Sequence, residues 1–357
     1  MIGGLQLKVF KKVLALIMIT FLITVTLIDT SQNIVYASPN ANSKQPIKIA
    51  IFISTFDDSY LSLVKQNLED IQKENENKVE FTFFNAHGNQ GIQNESVEKA
   101  LNEDFDLFVV VLVSVAIKTV EGIFNKINEK NIPLIIYLDP TTEIVNLAKS
   151  YNRTIIIGTN IEQSGVLEGK IIVDAWNANK NNIDKNNDNK LQYIMLHGET
   201  YNPTAIARTK YSIQSINVAG IKTEQLSLVY CNWDRECARI STESLLLKYG
   251  NKIEAIISNN DAMAIGAIEA LQKQGYYKGD KSNYIPIVGI DAIPEARELI
   301  KNGFMTGTVL QDPRAAAEAI YTIGMNMISG KYPLDSTNYK FDYTGLIVRL
   351  PYFEYNQ

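Results

Sequence analysis

Two groups of residues in this chain have the types and spacing that chemistry needs. The first is the stretch "DKNNDNKLQ". Asp184, Asn186 and Asp188 alternate as positions 1, 3 and 5 of a calcium loop, Lys190 offers a backbone carbonyl at position 7, and Gln192 an amide oxygen at position 9. As a stand-alone loop the pattern fails. Position 12 is Met195, which has no carboxylate, and the turn position usually held by Gly is Asn189, a residue that accepts a left-handed backbone. The same residues suit a solvated turn, and the spacing leaves both readings open.

The second group consists of polar residues that each follow a short apolar run: Asp57, Asp58 and Tyr60, then Ser114, then Asp139. Further along come Asn202 and Arg208, Cys231 to Asp234, "SNNDAMA" from Ser258, and Asp291 in "GIDA". Carboxylates, amides, an arginine and aromatic rings suit a sugar. Each hydroxyl both donates and accepts hydrogen bonds, while the C–H faces of the ring stack on aromatics. Any one of these residues could be a helix cap; the joint pattern points to a ligand.

The elements that position them follow from periodicity. "IKIAIFI", "VEFTFFNA", "LFVVVLV" and "IPLIIYL" are expected strands, separated by the helical patterns of "YLSLVKQNLEDIQKE", "SVEKALNE" and "TVEGIFNKINEK". The alternation resumes after the "DKNNDNKLQ" loop. "LQYIMLHG", "TEQLSLVY", "IEAIISN" and "IPIVGID" are strands; "RTKYSIQSIN", "TESLLLKYG" and "AMAIGAIEALQKQG" are helices. Continuous apolar strands belong to parallel sheets covered on both faces. The fold class is therefore α/β with two doubly wound lobes, a number that 357 residues allow. Such sheets bind ligands beyond the carboxyl ends of their strands, where the second group lies.

Composition narrows the function. With 46% hydrophobic and 20% charged residues and a net charge of −5, the chain has no strong attraction for nucleic acid. The N-terminus differs from the rest: Lys8, Lys11 and Lys12 precede an apolar run from Val13 to Ile28, too short for a comfortable membrane span. Residues 1–37 are expected to be a signal peptide cut after Ala37, or else an uncleaved anchor, and residues 38–46 a polar linker. Both readings put the body of the protein outside the cytoplasm. His87 and His197 have no zinc-ligand spacing, and no nucleophile elbow, phosphate loop or dinucleotide fingerprint is present. A catalytic role is thus not expected. Cys231 and Cys237 bracket Trp233 as either a small disulfide or two independent thiols.

The blocks "TFDDSY", "AIARTKY", "GIKTEQL", "KIEAIISNNDAMAIGAIEAL", "VGIDAIPEA", "GTVLQD" and "VRLPY" resemble, in order, the galactose/glucose-binding protein family of bacterial sugar uptake and chemotaxis. The resemblance runs from about Ile47 to about Tyr352. It implies the type I periplasmic binding protein fold, with two lobes joined by three hinge crossings and closing on a monosaccharide. The first lobe is expected over 47–138 plus 312–346 and the second over 139–311 plus 347–357. Carried over by position, the family's sugar contacts fall on Asp58, Arg208, Trp233, Asn259 and Asp291, with Tyr60 where the family has a Phe. Other positions depart: Val111 stands for an Asn, Asn202 for a His, Thr204 for an Asp and Gln311 for an Asn. The lost Asn and His hold the hydroxymethyl oxygen of a hexose in the family. Their absence favours a pentopyranose such as xylose, the alternative being a pocket repacked around another hexose. The resemblance also closes the "DKNNDNKLQ" loop with a distant Glu, which falls on Glu254, so calcium becomes the favoured reading. The implied partner is a membrane ABC permease, or alternatively a membrane histidine kinase or chemoreceptor. A transcription regulator of the same fold would begin with a helix-turn-helix headpiece where residues 1–37 have a membrane-targeting pattern.

Overall fold

The computed structural model describes residues 45–276 and 284–355. The expected leader over 1–37 and most of the linker lie outside them. Among the described residues no helix is long and apolar enough to cross a membrane.

The strands form two six-stranded sheets. In chain order the first part reads β1 (Ile47–Ile53), α1 (Ser59–Glu74), β2 (Val79–Asn85), α2 (Gln90–Ala100), β3 (Leu107–Val111), α3 (Ile117–Glu129), β4 (Leu134–Tyr137), α4 (Thr142–Lys149) and β5 (Thr154–Thr159). The second part reads α5 (Ile161–Ile183), β6 (Lys190–His197), α6 (Pro203–Val218), β7 (Lys222–Tyr230), α7 (Arg235–Tyr249), β8 (Ala255–Ser258), α8 (Asp261–Lys273), β9 (Ile287–Asp291), α9 (Pro294–Lys301) and β10 (Gly307–Leu310). The chain then returns through α10 (Pro313–Ile328) and β11 (Ile347–Leu350), and ends with β12 (Phe353–Glu354). The sheet orders are β11-β5-β4-β3-β1-β2 and β12-β10-β9-β8-β6-β7. All pairings are parallel except β10 with β12.

Strand parity explains the layers. Ile49, Ile51 and Ile53 of β1 join Leu61, Val64, Leu68 and Ile71 of α1 and Ile320 and Ile323 of α10 in one core, while Ala50 and Phe52 face Val97, Val120 and Phe124 in another. In the second sheet Ile194 and Leu196 pack with helices α7 and α8, and Leu191, Tyr193 and Met195 with α5 and α6. Both faces of each sheet are covered, as the continuous apolar runs require.

The expected lobe boundaries need correction. β5 and β11, both short, pair with each other in the first sheet, with Ile156 opposite Ile347. Residues 139–159 and 347–350 therefore belong to the first lobe and not the second. A strand's apolar run does not disclose its pairing partner, and β5 joins β4 because Leu134 to Tyr137 register with Thr154 to Ile157. The three crossings stand: one after Thr159, one after Leu310 and one after Leu350.

Helices α5 and α6 lie backbone to backbone. A Cβ on Gly169 would come within 2.3 Å of the Ser212 carbonyl, whereas a Cβ on Gly122 in α3 would meet nothing within 4 Å. The two substitutions are expected to act in opposite directions. Gly122→Ala should stabilise by ~0.5–1 kcal/mol through helix propensity, and Gly169→Ala should destabilise by ~1–3 kcal/mol through overpacking. Thermal unfolding of the two variants checks the contrast; a raised Tm for Gly169→Ala would contradict it.

Candidate ligand-binding site

The carboxyl ends of both sheets face a cavity of about 760 Å³ lined by residues of both lobes. Loop geometry places the first-lobe side. Asp58 caps α1, its Oδ1 accepting from the amides of Tyr60 (2.9 Å) and Leu61 (2.8 Å), so Oδ2 is left for a ligand. Burial raises the Asp58 carboxyl above its ordinary range, against the lowering pull of the two amides and Arg208. Tyr60 is buried with its hydroxyl 2.7 Å from that of Tyr137, at the end of β4. The wall around them is apolar: Val111, Leu112, Val113, Ile136 and Leu138 all line the cavity.

The second-lobe side is polar. Arg208, on α6, is buried and forms the floor. Its Nη2 donates to Gln311 Oε1 (2.8 Å) and to the Tyr352 hydroxyl (2.9 Å). Its Nη1 donates to the Asn259 carbonyl at 2.6 Å and lies 3.8 Å from Asp291 Oδ1. Burial drives the Asp291 carboxyl well above its usual range, partly offset by Arg208. Behind Arg208, Glu168 is buried, and burial likewise raises its carboxyl strongly, against the lowering pull of Arg208. Trp233 sits on Gly198, where a Cβ would stand 2.4 Å from the indole. The Cys231–Cys237 disulfide closes the loop that carries the ring. This decides between the two cysteine readings.

Backbone strain concentrates here. Leu138 (φ 74°), Asn232 (φ 50°), Trp233 (φ 69°) and Asp291 (φ 126°) line the cavity with positive φ. Each such conformation costs of order 1–3 kcal/mol and persists where the surroundings enforce it.

Of the expected sugar contacts, Asp58, Tyr60, Asn202, Arg208, Trp233, Asp291 and Gln311 converge on the cavity, with Val111 and Thr204. Asn202 is committed to its helix: Oδ1 accepts from the Thr204 and Ala205 amides and Nδ2 donates to Glu199. Asn259 is a correction. Its side chain is fully buried, accepting from the Gly198 amide and bonding Thr209, and it does not line the cavity. Asn260 does, capping α8 through Met263 and donating to the Trp233 carbonyl. In this run of two asparagines only the second, which caps α8, lines the cleft. Asp139, Glu199, Asn260 and Tyr352 also line the cleft. Of these, Asp139 and, within "SNNDAMA", Asn260 follow apolar runs in the sequence, while Glu199 and Tyr352 carry no such mark.

The "DKNNDNKLQ" segment is a separate feature in the second lobe. Asn187 (φ 58°) and Asn189 (φ 60°) make the left-handed turns foreseen for Asn. Asp184 accepts from the amides of Asp188 and Asn189, and Glu254 accepts from Lys185 (2.7 Å) and Gln192 (2.9 Å). Gln192 Nε2 donates to Asp188, while Gln192 Oε1 is buried without a partner. Burial first, then the nearby Asp184 and Asp188, raises the Glu254 carboxyl. Among the described residues no three His, Cys, Asp or Glu side chains gather as a metal cluster. The segment offers three carboxylates mixed with amide and carbonyl oxygens, and Glu254 is turned onto backbone amides.

A polar cleft between two lobes joined by three crossings defines a hinged solute-binding protein, and comparison with known proteins makes the class specific. The family described as "Periplasmic binding protein domain" matches residues 49–332. The D-galactose/methyl-galactoside binding periplasmic protein of Haemophilus influenzae is 33% identical over 321 residues, covering 89% of this chain and 92% of that protein. A xylitol-binding protein of Mycolicibacterium smegmatis is 23% identical over 273 residues, covering 76% and 70%. Among solved structures, an ABC transporter solute binding protein from Bacillus halodurans with bound myo-inositol has a TM-score of 0.70 at 24% identity, covering 88% of this chain and 96% of that one. This last likeness concerns the fold. The chain belongs to the periplasmic binding protein family, in its galactose/glucose-binding group, whose members bind sugars and are not enzymes.

Replacing Arg208 by Lys keeps the charge but removes the planar fork that reaches Gln311, Tyr352 and Asn259 together. Ligand affinity in Arg208→Lys is expected to fall by roughly ten- to a hundredfold, the worth of one charged hydrogen bond of ~1.5–3 kcal/mol. Arg314→Lys, on the surface, should leave it unchanged. Titration calorimetry of both variants is the check, and an unaltered Arg208→Lys affinity would remove Arg208 from the site.

Proposed function

We propose that this protein is an extracytoplasmic binding protein for a monosaccharide in its pyranose form, favours a pentose such as D-xylose over galactose or glucose, and delivers it to a membrane ABC permease. Asp58 and Asp291 accept hydrogen bonds from its hydroxyls, Arg208 donates, and Tyr60 and Trp233 flank the ring. The N-terminal segment 1–37 fits export of the chain.

The observation that carries the choice of sugar is Val111. It lines the cavity at 4% exposure and offers methyl groups where the family has an amide, while its register partner Tyr137 has its hydroxyl engaged with that of Tyr60. A hydroxymethyl oxygen pressed there is left unpaired at a cost of ~1–3 kcal/mol. A pentopyranose has no such oxygen. Asn202, the other departure, already spends its oxygen on the α6 cap. Xylose is therefore expected to bind roughly five- to a hundredfold tighter than glucose or galactose. Titration calorimetry with the three sugars tests this, and selective, tight binding of glucose would overturn it.

We further propose that the segment from Asp184 to Gln192 and Glu254 hold a structural calcium ion. The support is the donor set, all oxygen as calcium prefers, and the buried Gln192 Oε1 that no protein group satisfies. Asp184, Asn186, Asp188, the Lys190 carbonyl, Gln192 and Glu254 would hold it. Binding only to the folded chain adds ~2.7 kcal/mol at a hundred times the dissociation constant. Chelation is thus expected to lower Tm, and Glu254→Gln to weaken the dependence. An unmoved melting curve with chelator, together with metal-free purified protein, would sink the idea.

A further inference from the structure

Tyr352 lines the cleft and stands where all three crossings meet. It is 1% exposed and lies in the third crossing, between β11 and β12. Its hydroxyl is 3.1 Å from Thr159 Oγ1, at the first crossing, and 3.1 Å from Gln311 Oε1, at the second. It accepts from Arg208 Nη2 at 2.9 Å, and its ring lies under the same guanidinium, 5.6 Å from centroid to carbon. Thr159 Oγ1 donates its own proton to Asp139 Oδ2 (2.8 Å), which is in turn paired with Arg349. Thr159 and Gln311 are thus both acceptors, and the single Tyr352 proton is divided between them.

From this we infer that Tyr352 is a positioning residue that latches the hinge and ties the closure of the lobes to Arg208 at the floor of the cleft. Hinge closure changes backbone angles at a few crossing residues. Here three such residues share one hydroxyl, so the crossings must turn together or break the bonds to Tyr352. Leu63 of α1 packs against the core of the second lobe in this arrangement, so the latch holds a state in which the lobes touch. A ligand that hydrogen-bonds Arg208 would steady the guanidinium against Tyr352 and so favour that state. The inference rests on Arg208 being a ligand contact.

Tyr352→Phe keeps the ring under Arg208 and deletes the hydroxyl. The matched control is Tyr193→Phe, which removes the hydroxyl bonded to Gln225 inside the second lobe, away from the crossings. Two readouts are required: small-angle scattering without sugar, and xylose dissociation followed by Trp233 fluorescence in stopped flow. Tyr352→Phe is expected to raise the radius of gyration of the sugar-free protein and to speed dissociation roughly tenfold, the worth of one hydrogen bond of about 1.4 kcal/mol. Tyr193→Phe should do neither at a similar loss of Tm. Wild-type scattering and dissociation in Tyr352→Phe, or equal changes in Tyr193→Phe, would overturn the latch. If the wild type bound no monosaccharide, the sugar assignment would fail, while the sugar-free scattering would still decide the latch.

Discussion

The guanidinium of Arg208 is the constraint on which the cleft depends. An isolated buried charge is costly, and it persists only when its hydrogens are matched by acceptors with good geometry. The Nη hydrogens meet acceptors from three separate places, the Asn259 carbonyl after β8, Gln311 after β10 and Tyr352 after β11, while Asp291 at the end of β9 pairs at 3.8 Å and the buried Nε has no partner. Each must therefore sit at a defined height above its sheet. The Gly165 and Gly169 contacts let α5 approach α6 closely enough to hold the Arg208 backbone in place. One cation thus ties the ends of β8, β9 and β10 in the second sheet to the chain that leaves β11 of the first.

Matching a cation to several carboxylates also explains the electrostatics. Asp58, Asp291 and Glu168 are all raised by burial and all pulled down by Arg208. One guanidinium thus faces several buried carboxylates, Asp261 among them. Sugar hydroxyls suit such a site: they are neutral, and each can donate to a carboxylate or accept from a carboxylic acid. The positive φ at Trp233 and Asp291 lies in the same wall, where the disulfide closes the loop of Trp233 and Arg208 stands 3.8 Å from Asp291.

Much of this was legible in the sequence because strand alternation is local. The apolar runs of β1, β3, β4, β6, β8 and β9 and the residues just beyond them need only a short window to recognise. What was missed is non-local. β5 and β11 are paired across 190 residues, so their joint membership in the first sheet had no local signature. Asn259 and Asn260 are chemically identical neighbours, and a single step along the chain decides which faces the cleft and which bonds Gly198. Tyr352 acts through an atom whose partners are 41, 144 and 193 residues away, a separation that no spacing rule captures. Gln192 was read as a ligand for a loop, and its buried, unpartnered oxygen is visible only once β6 packs.

The interleaving of the lobes has a consequence for how the chain is made. The first sheet is completed by β11 and the second by β12, each an edge strand drawn from the last few residues. Neither lobe can therefore finish its sheet while the C-terminal residues are still being synthesised. Until Leu350 and Glu354 are present, both sheets lack an edge strand and the third crossing is unmade.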